Sequence, residues 1–106
     1  MELNTKINFK EIAKLYEMLS EAEIPCEICH VYDGLQINYP SIKNRVCDAI
    51  CHSGSYGHEY GLLEIMGLVN RKNAGDDVEG WLTAEDVFKL IRKHYESHKG
   101  AEAVSL

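Results

Sequence analysis

Ile7, Phe9, Ile12, Leu15, Tyr16 and Leu19 recur at the three- and four-residue spacing of one helical face, while Lys10, Glu11, Lys14 and Glu17 fill the positions between them. This pattern predicts an amphipathic helix over residues 9 to 22. Asn8 is placed to cap it, with Glu11 at the third helical position reaching back and Ile7 packing on Ile12 as a staple. Pro25 closes the segment. From Cys26 to Tyr39 the period shortens to two, and Asp33-Gly34 in the middle suits the positive backbone angles of a tight turn. A hairpin of 26 to 32 against 35 to 39 follows. Its register sets Tyr32 opposite Leu35, His30 opposite Ile37 and Ile28 opposite Tyr39. These six are expected on the core side, with Cys29, Val31, Gln36 and Asn38 on the other.

Pro40 stops the second strand, and residues 44 to 52 predict a third, placed centrally because both of its faces are apolar: Val46 and Ile50 on one, Cys47, Ala49 and Cys51 on the other. The glycine-rich SGSYGHEYG reads as a loop, LLEIMGL as a short helix broken at Gly67, and residues 70 to 80 as a polar, exposed loop. Thr83 caps the last helix with Asp86 at the third helical position, and Leu82 staples onto Val87. Val87, Phe88, Ile91 and Tyr95 form its buried stripe. The expectation is one α+β domain over residues 1–99, with about three antiparallel strands and two amphipathic helices on one sheet face, followed by a frayed tail over 100–106.

Composition narrows the partners. The chain has 106 residues, 45% hydrophobic and 26% charged, which suits one ordinary domain and leaves no room for two. Its 17 acidic residues outnumber 11 basic ones for a net charge of −6, and no basic arm is present to displace counterions, so direct nucleic-acid binding is not expected. MELNTK lacks the regions of a signal peptide, and the longest apolar stretch, Leu62 to Val69, is too short for a bilayer. A cytoplasmic location, with no membrane contact, is expected.

The sharpest local pattern is Cys26-x-x-Cys29 followed by His30, then Cys47-x-x-x-Cys51 followed by His52. Paired thiolates at this separation are the ligand set of a tetrahedral zinc, so Cys26, Cys29, Cys47 and Cys51 define an alternative zinc-binding module. CEICH also matches a c-type haem attachment signature. Strand geometry opposes both, because in an extended segment Cys26 and Cys29 point to opposite faces, and so do Cys51 and His52 as a nucleophile and its base. Small buried thiols are the simpler reading, with no metal or cofactor and no enzymatic activity.

A second signal is the crowding of polar aromatics between residues 30 and 60: His30, His52, His58, Tyr32, Tyr39, Tyr56 and Tyr60, with Arg45 nearby. Such rings combine an apolar body with a hydrogen-bonding tip and suit a planar ligand or a protein groove. Ser53, Gly54, Ser55 and Gly57 offer backbone N–H groups to an anion, and Arg45 adds charge. The candidate ligand site is therefore Tyr39, Arg45, Ser53, Ser55, Tyr56, His58 and Tyr60. Asp76, Asp77, Glu79, Glu85 and Asp86 form a separate acidic cluster, which reads either as a solvated face or as a phosphate mimic.

The succession LYEMLSEAEIP, YDGLQINYP, CHSGSYGHEYGLLEIMGL and VEGWLTAEDVFKLI resembles a family of uncharacterised small accessory proteins from phages and prophages of Firmicutes-type bacteria, over roughly residues 9 to 97. The resemblance implies a non-enzymatic binding protein that counters host defence. Two mechanisms are expected. In one, a homo-oligomer sequesters a small nucleotide-type immune signal. In the other, an acidic protein inhibitor occupies a defence nuclease as a nucleic-acid mimic.

Overall fold

The computed structural model describes residues 8–68 and 78–105, with side chains described as far as His98. The elements are α1 (Lys10–Glu21), β1 (Glu27–Val31), β2 (Gly34–Tyr39), β3 (Cys47–Cys51), β4 (Leu63–Met66), β5 (Val78–Leu82) and α2 (Ala84–Ser105), with a single 3₁₀ turn, His58–Tyr60, before β4. The strands form one five-stranded antiparallel sheet in the order β1-β2-β3-β4-β5. The architecture is α+β, with β3 at the centre and two strands more than the sequence pattern suggests.

The first helix forms where its apolar stripe predicts. Ile12, Leu15 and Leu19 are fully buried, each stabilising the fold by roughly 1.5–3 kcal/mol. The N-cap position falls to Phe9, which makes no side-chain cap bond, and Asn8 one residue earlier accepts the Lys10 N–H at 2.9 Å through its side-chain oxygen. Glu11 does not reach back. Its carboxylate accepts the Ala84 N–H at 2.8 Å, tying the start of α2 to α1, and Lys14 pairs with Glu85 across the same interface. The Ile7 staple lies outside the described residues. The helix ends before Pro25, in a Schellman turn: Ile24 N–H reaches the Leu19 carbonyl, Glu23 N–H reaches that of Ser20, and Glu23 sits at φ 59°. Glu23→Gly is expected to raise stability by about 0.5–1 kcal/mol, because glycine takes this conformation without a Cβ penalty. A thermal melt showing no gain would contradict that assignment of strain.

The hairpin is present with its register moved. Val31 pairs with Gly34, His30 with Leu35 and Ile28 with Ile37, so the turn residues are Tyr32 and Asp33 and not Asp33 and Gly34. Tyr32 adopts φ 54°. The shift preserves parity, and Leu35, Ile37 and Tyr39 face the core as expected. Ile28 and His30 share that side but stay exposed, because β1 is an edge strand and α1 packs over β2 and β3.

LLEIMGL is a strand, not a helix. Leu63 and Ile65 are fully buried while Met66 is exposed, an alternation with the period of a sheet. Residues 78 to 80 of the expected loop likewise belong to β5, and the stretch 69–77 lies outside the described residues. At α2 the capping box forms as predicted: Thr83 Oγ1 accepts the Asp86 N–H at 3.2 Å, and the Asp86 carboxylate accepts the Thr83 N–H at 3.0 Å. Val87 and Ile91 are buried, and Phe88 and Tyr95 pack against the core beside them. Helix α2 continues through Ser105, and the fraying expected from Gly100 falls beyond the described side chains.

Both helices cover the face carrying Ile37, Ala49, Cys51, Leu63 and Ile65. The opposite face, carrying Gln36, Asn38, Asp48, Ile50, Glu64 and Met66, has no described element packed on it. Among the described residues no helix is long and apolar enough to cross a membrane.

Candidate functional site

Antiparallel order puts the ends of the strands in register across the molecule. Val31, Gly34, Cys51, Leu63 and Leu82 terminate or begin their strands at one end of the sheet, and Glu27, Tyr39, Cys47, Met66 and Val78 at the other. This separates the residues grouped by sequence. Tyr56, His58 and Tyr60 stand at the first end. Tyr39 and Arg45 belong to the second, separated from the first by the length of β3, roughly 15 Å at the rise of an extended chain. The seven candidates therefore do not line one pocket.

Tyr39 is interior filling. Its ring is buried on the core face, and its hydroxyl lies 2.8 Å from His94 Nδ1, with burial pushing the phenol up to about 12. Arg45 is on the open side, donating to Asn38 Oδ1 at 3.0 Å and lying 3.5 Å from Asp48 Oδ2. Gln36 donates to the same Asp48 carboxylate and accepts from Cys29 Sγ, which completes a polar ladder over β1, β2 and β3. Among the described residues, no buried side-chain nitrogen or oxygen of this sheet lacks a partner.

The glycine loop is not open to an anion in the way its composition suggests. Ser53 N–H donates to Asp33 Oδ1 at 3.0 Å, Gly54 N–H to His52 Nδ1 at 2.9 Å, Ser55 N–H to the His52 carbonyl and Tyr56 N–H to Glu64 Oε1 at 2.9 Å. The chain's own carboxylates, Asp33 and Glu64, occupy places a phosphate would take. The bond from Ser53 holds the Asp33 carboxyl below its usual range. Ser55 is buried and its hydroxyl is used in both directions by His52. His58 Nδ1 donates to the Ser55 carbonyl at 2.7 Å.

What remains accessible at this end is aromatic. Tyr56 is 63% exposed, Tyr60 70%, Trp81 54% and Tyr32 91%. The Tyr60 and Trp81 ring centroids lie 5.9 Å apart, and those of Tyr32 and His52 5.2 Å. Trp81 comes from a bulge in which Gly80 and Trp81 together oppose Glu64, since Leu63 pairs with Leu82 and Ile65 with Glu79. Its backbone is left-handed, at φ 64°. Bulky residues avoid that region, yet Tyr32 and Trp81 both adopt it, and both present exposed rings at this end of the sheet. Gly80 is required beside Tyr56, because a Cβ there would lie 2.3 Å from the Tyr56 Cβ. Beside Tyr32 and His52, Val31, Gln36, Asp48, Ile50, Glu64 and Met66 complete the lining of a hollow of about 120 Å³ on the open face.

Trp81 and Tyr32 are absent from the site drawn by sequence. A glycine interrupting a strand-like run, followed by the sole tryptophan of the chain, is the signal that could have located the first.

The cysteines do not converge. Cys29 is on the open face while Cys47 and Cys51 are on the covered one, and among the described residues no three His, Cys, Asp or Glu side chains form a metal-holding group. The four-cysteine zinc arrangement is thus not formed. Burial pushes the Cys26 and Cys51 thiols up and that of Cys47 to about 12, which leaves no activated thiolate among these three. Of the acidic cluster, Glu85 is paired with Lys14 and Asp86 caps α2. Glu79 is in β5 and engaged in an interaction of its own, and Asp76 and Asp77 lie outside the described residues.

The fold and this surface define a small α+β protein with one bare sheet face and an exposed aromatic end. Comparison with protein-family models, curated proteins and solved structures finds no match to this chain.

Proposed function

We propose that this chain is a non-enzymatic binding protein that docks a protein partner on the aromatic end and bare face of its sheet. The observation carrying the proposal is the pair of strained, exposed aromatic residues, Tyr32 and Trp81, at one end of the sheet, with Tyr32 lining a hollow on its open face. Backbone strain persists only where surrounding structure enforces it, and large aromatics dominate the energetics of protein interfaces. The context implied by the resemblance makes the partner a component of host defence, met in the bacterial cytoplasm.

Sequestration of a nucleotide by a homo-oligomer is the second reading. Tyr56, Tyr60 and Trp81 offer stacking faces to a base. The phosphate half of such a ligand is less well served, because the loop amides of Ser53, Gly54, Ser55 and Tyr56 already have acceptors within the chain.

One protein sample separates the two. Trp81 is the only tryptophan, so its emission reports on this surface alone. Cyclic dinucleotides and ADP-ribose-type nucleotides are expected to leave that emission unchanged at concentrations well above ~10 μM, where mass action would otherwise populate a complex. A partner captured from infected host cells is expected to be lost from the Tyr56→Ala/Tyr60→Ala variant. Quenching by a nucleotide would overturn the preference, and retention of the partner by the double variant would remove this surface from consideration.

A further inference from the structure

We propose that His94 and His98, on the second half of α2, form a two-imidazole site for a late first-row divalent metal ion of the zinc, nickel and copper group. The site is remote from the aromatic end: His94 is joined to Tyr39, whose position in β2 belongs to the opposite end of the sheet. It therefore stands independently of the binding surface.

Residues four apart on a helix lie one above the other, and here the two rings are stacked with centroids 3.9 Å apart and planes inclined by 21°. Each ring has Nδ1 engaged and no described partner at Nε2. His98 Nδ1 is 3.0 Å from the His94 carbonyl oxygen. A carbonyl only accepts, so this nitrogen carries the proton and Nε2 carries the lone pair. His94 Nδ1 is 2.8 Å from the Tyr39 hydroxyl, which serves as acceptor when His94 presents its own Nε2 lone pair. Histidines that bind metals characteristically hold their second nitrogen against a carbonyl or another fixed oxygen, which orients the ring and fixes the tautomer.

Two further features favour metal over proton. Burial, together with the neighbouring His98, lowers the His94 pKa, which favours the neutral form of the ring that a metal takes. Burial also keeps Tyr39 a phenol, so it acts as an anchor from the sheet and not as a competing anionic ligand. The lone pairs of near-parallel rings do not converge, so binding a common ion at about 2.0–2.1 Å opens the stack and tilts the two rings toward each other at Nε2. Imidazole suits zinc, copper and nickel. With two protein ligands the remaining positions go to water, which makes this an exchangeable site and distinguishes it from a closed four-ligand centre.

The test uses the full, untagged chain with its thiols kept reduced. Nickel(II) is titrated by calorimetry, and its position is mapped by paramagnetic broadening of the histidine ring nitrogens. Binding of one ion per chain is expected, with broadening confined to His94 and His98. His98→Ala and His98→Gln are expected to weaken binding by at least the roughly tenfold that loss of an outer-shell partner alone brings, without changing the melt in chelator. Cys26→Ser/Cys29→Ser should bind as the parent does. No binding at millimolar nickel, equal binding by His98→Ala, or broadening centred on other histidines would each overturn the proposal.

Discussion

Gly34→Ala is expected to lower the melting temperature by at least about 10 °C, corresponding to a loss of roughly 3 kcal/mol or more. Gly34 begins β2 and is buried against the end of β3. A Cβ built there would lie 1.9 Å from the Cys51 carbonyl oxygen, 2.6 Å from His52 Cβ and 2.7 Å from His52 Cα. The nearest of these atoms is backbone, so no side-chain rotation relieves the contact. The strands must separate where Leu35 pairs with Cys51. Gly34 has no positive φ, so the cost is steric and a larger substituent should increase it. The displacement also moves His52, and with it the bond from Gly54 N–H and the packing on Tyr32. A variant within about 1 kcal/mol of the parent in denaturant unfolding would show that β2 and β3 are not closed together at this point.

Trp81 carries the second large effect. Its replacement by alanine or glycine is expected to weaken partner binding by at least about 2 kcal/mol, or about 30-fold in Kd, the scale of an aromatic hot spot. The two variants should then differ in stability in an unusual direction. Glycine inside a strand ordinarily costs about 0.5–1 kcal/mol relative to alanine, through the entropy of the unfolded chain. At φ 64° the order reverses, because alanine retains the Cβ clash that glycine lacks. Trp81→Gly is expected to be the more stable variant by about 0.5–1 kcal/mol in chemical denaturation, with both folded and both defective in binding. If alanine proves the more stable, Trp81 is not strained and the case for a surface maintained at a cost to the fold fails. If both bind as the parent, the aromatic end is not the docking site.

Features set by neighbours within a few residues were legible in the chain. The apolar stripe of α1, the Thr83–Asp86 capping box, the stop at Pro40 and the parity of the hairpin faces all follow from such spacings, and all are present. The hairpin register was not, because Asp33-Gly34 is the better turn dipeptide in isolation. Buried Gly34 is instead required beside Cys51 and His52, and the turn moves onto Tyr32-Asp33. β4 is not legible in the chain, because Leu62, Leu63, Ile65 and Leu68 satisfy a helical spacing as well as an extended one. Pairing with β3 decides for the strand. The polar, glycine-bearing β5 is extended because β4 offers it a partner.

By itself the sequence determined the helices, the capping box that starts the second of them, the alternation that buries Ile37 and Tyr39, and the concentration of tyrosine, histidine and glycine after β3. These depend on side-chain period and on hydrogen bonds spanning a few residues. Tertiary structure alone decided which of those residues meet. The antiparallel order carries Tyr39 and Arg45 to one end of the sheet and Tyr56 and Tyr60 to the other. A bulge in a strand remote in sequence brings Trp81 beside Tyr60. Carboxylates from Asp33 and Glu64, 20 and 8 residues from the amides they accept, fill positions the loop would offer an anion. Strand pairing and the satisfaction of backbone amides are settled between distant segments, and no local spacing encodes them.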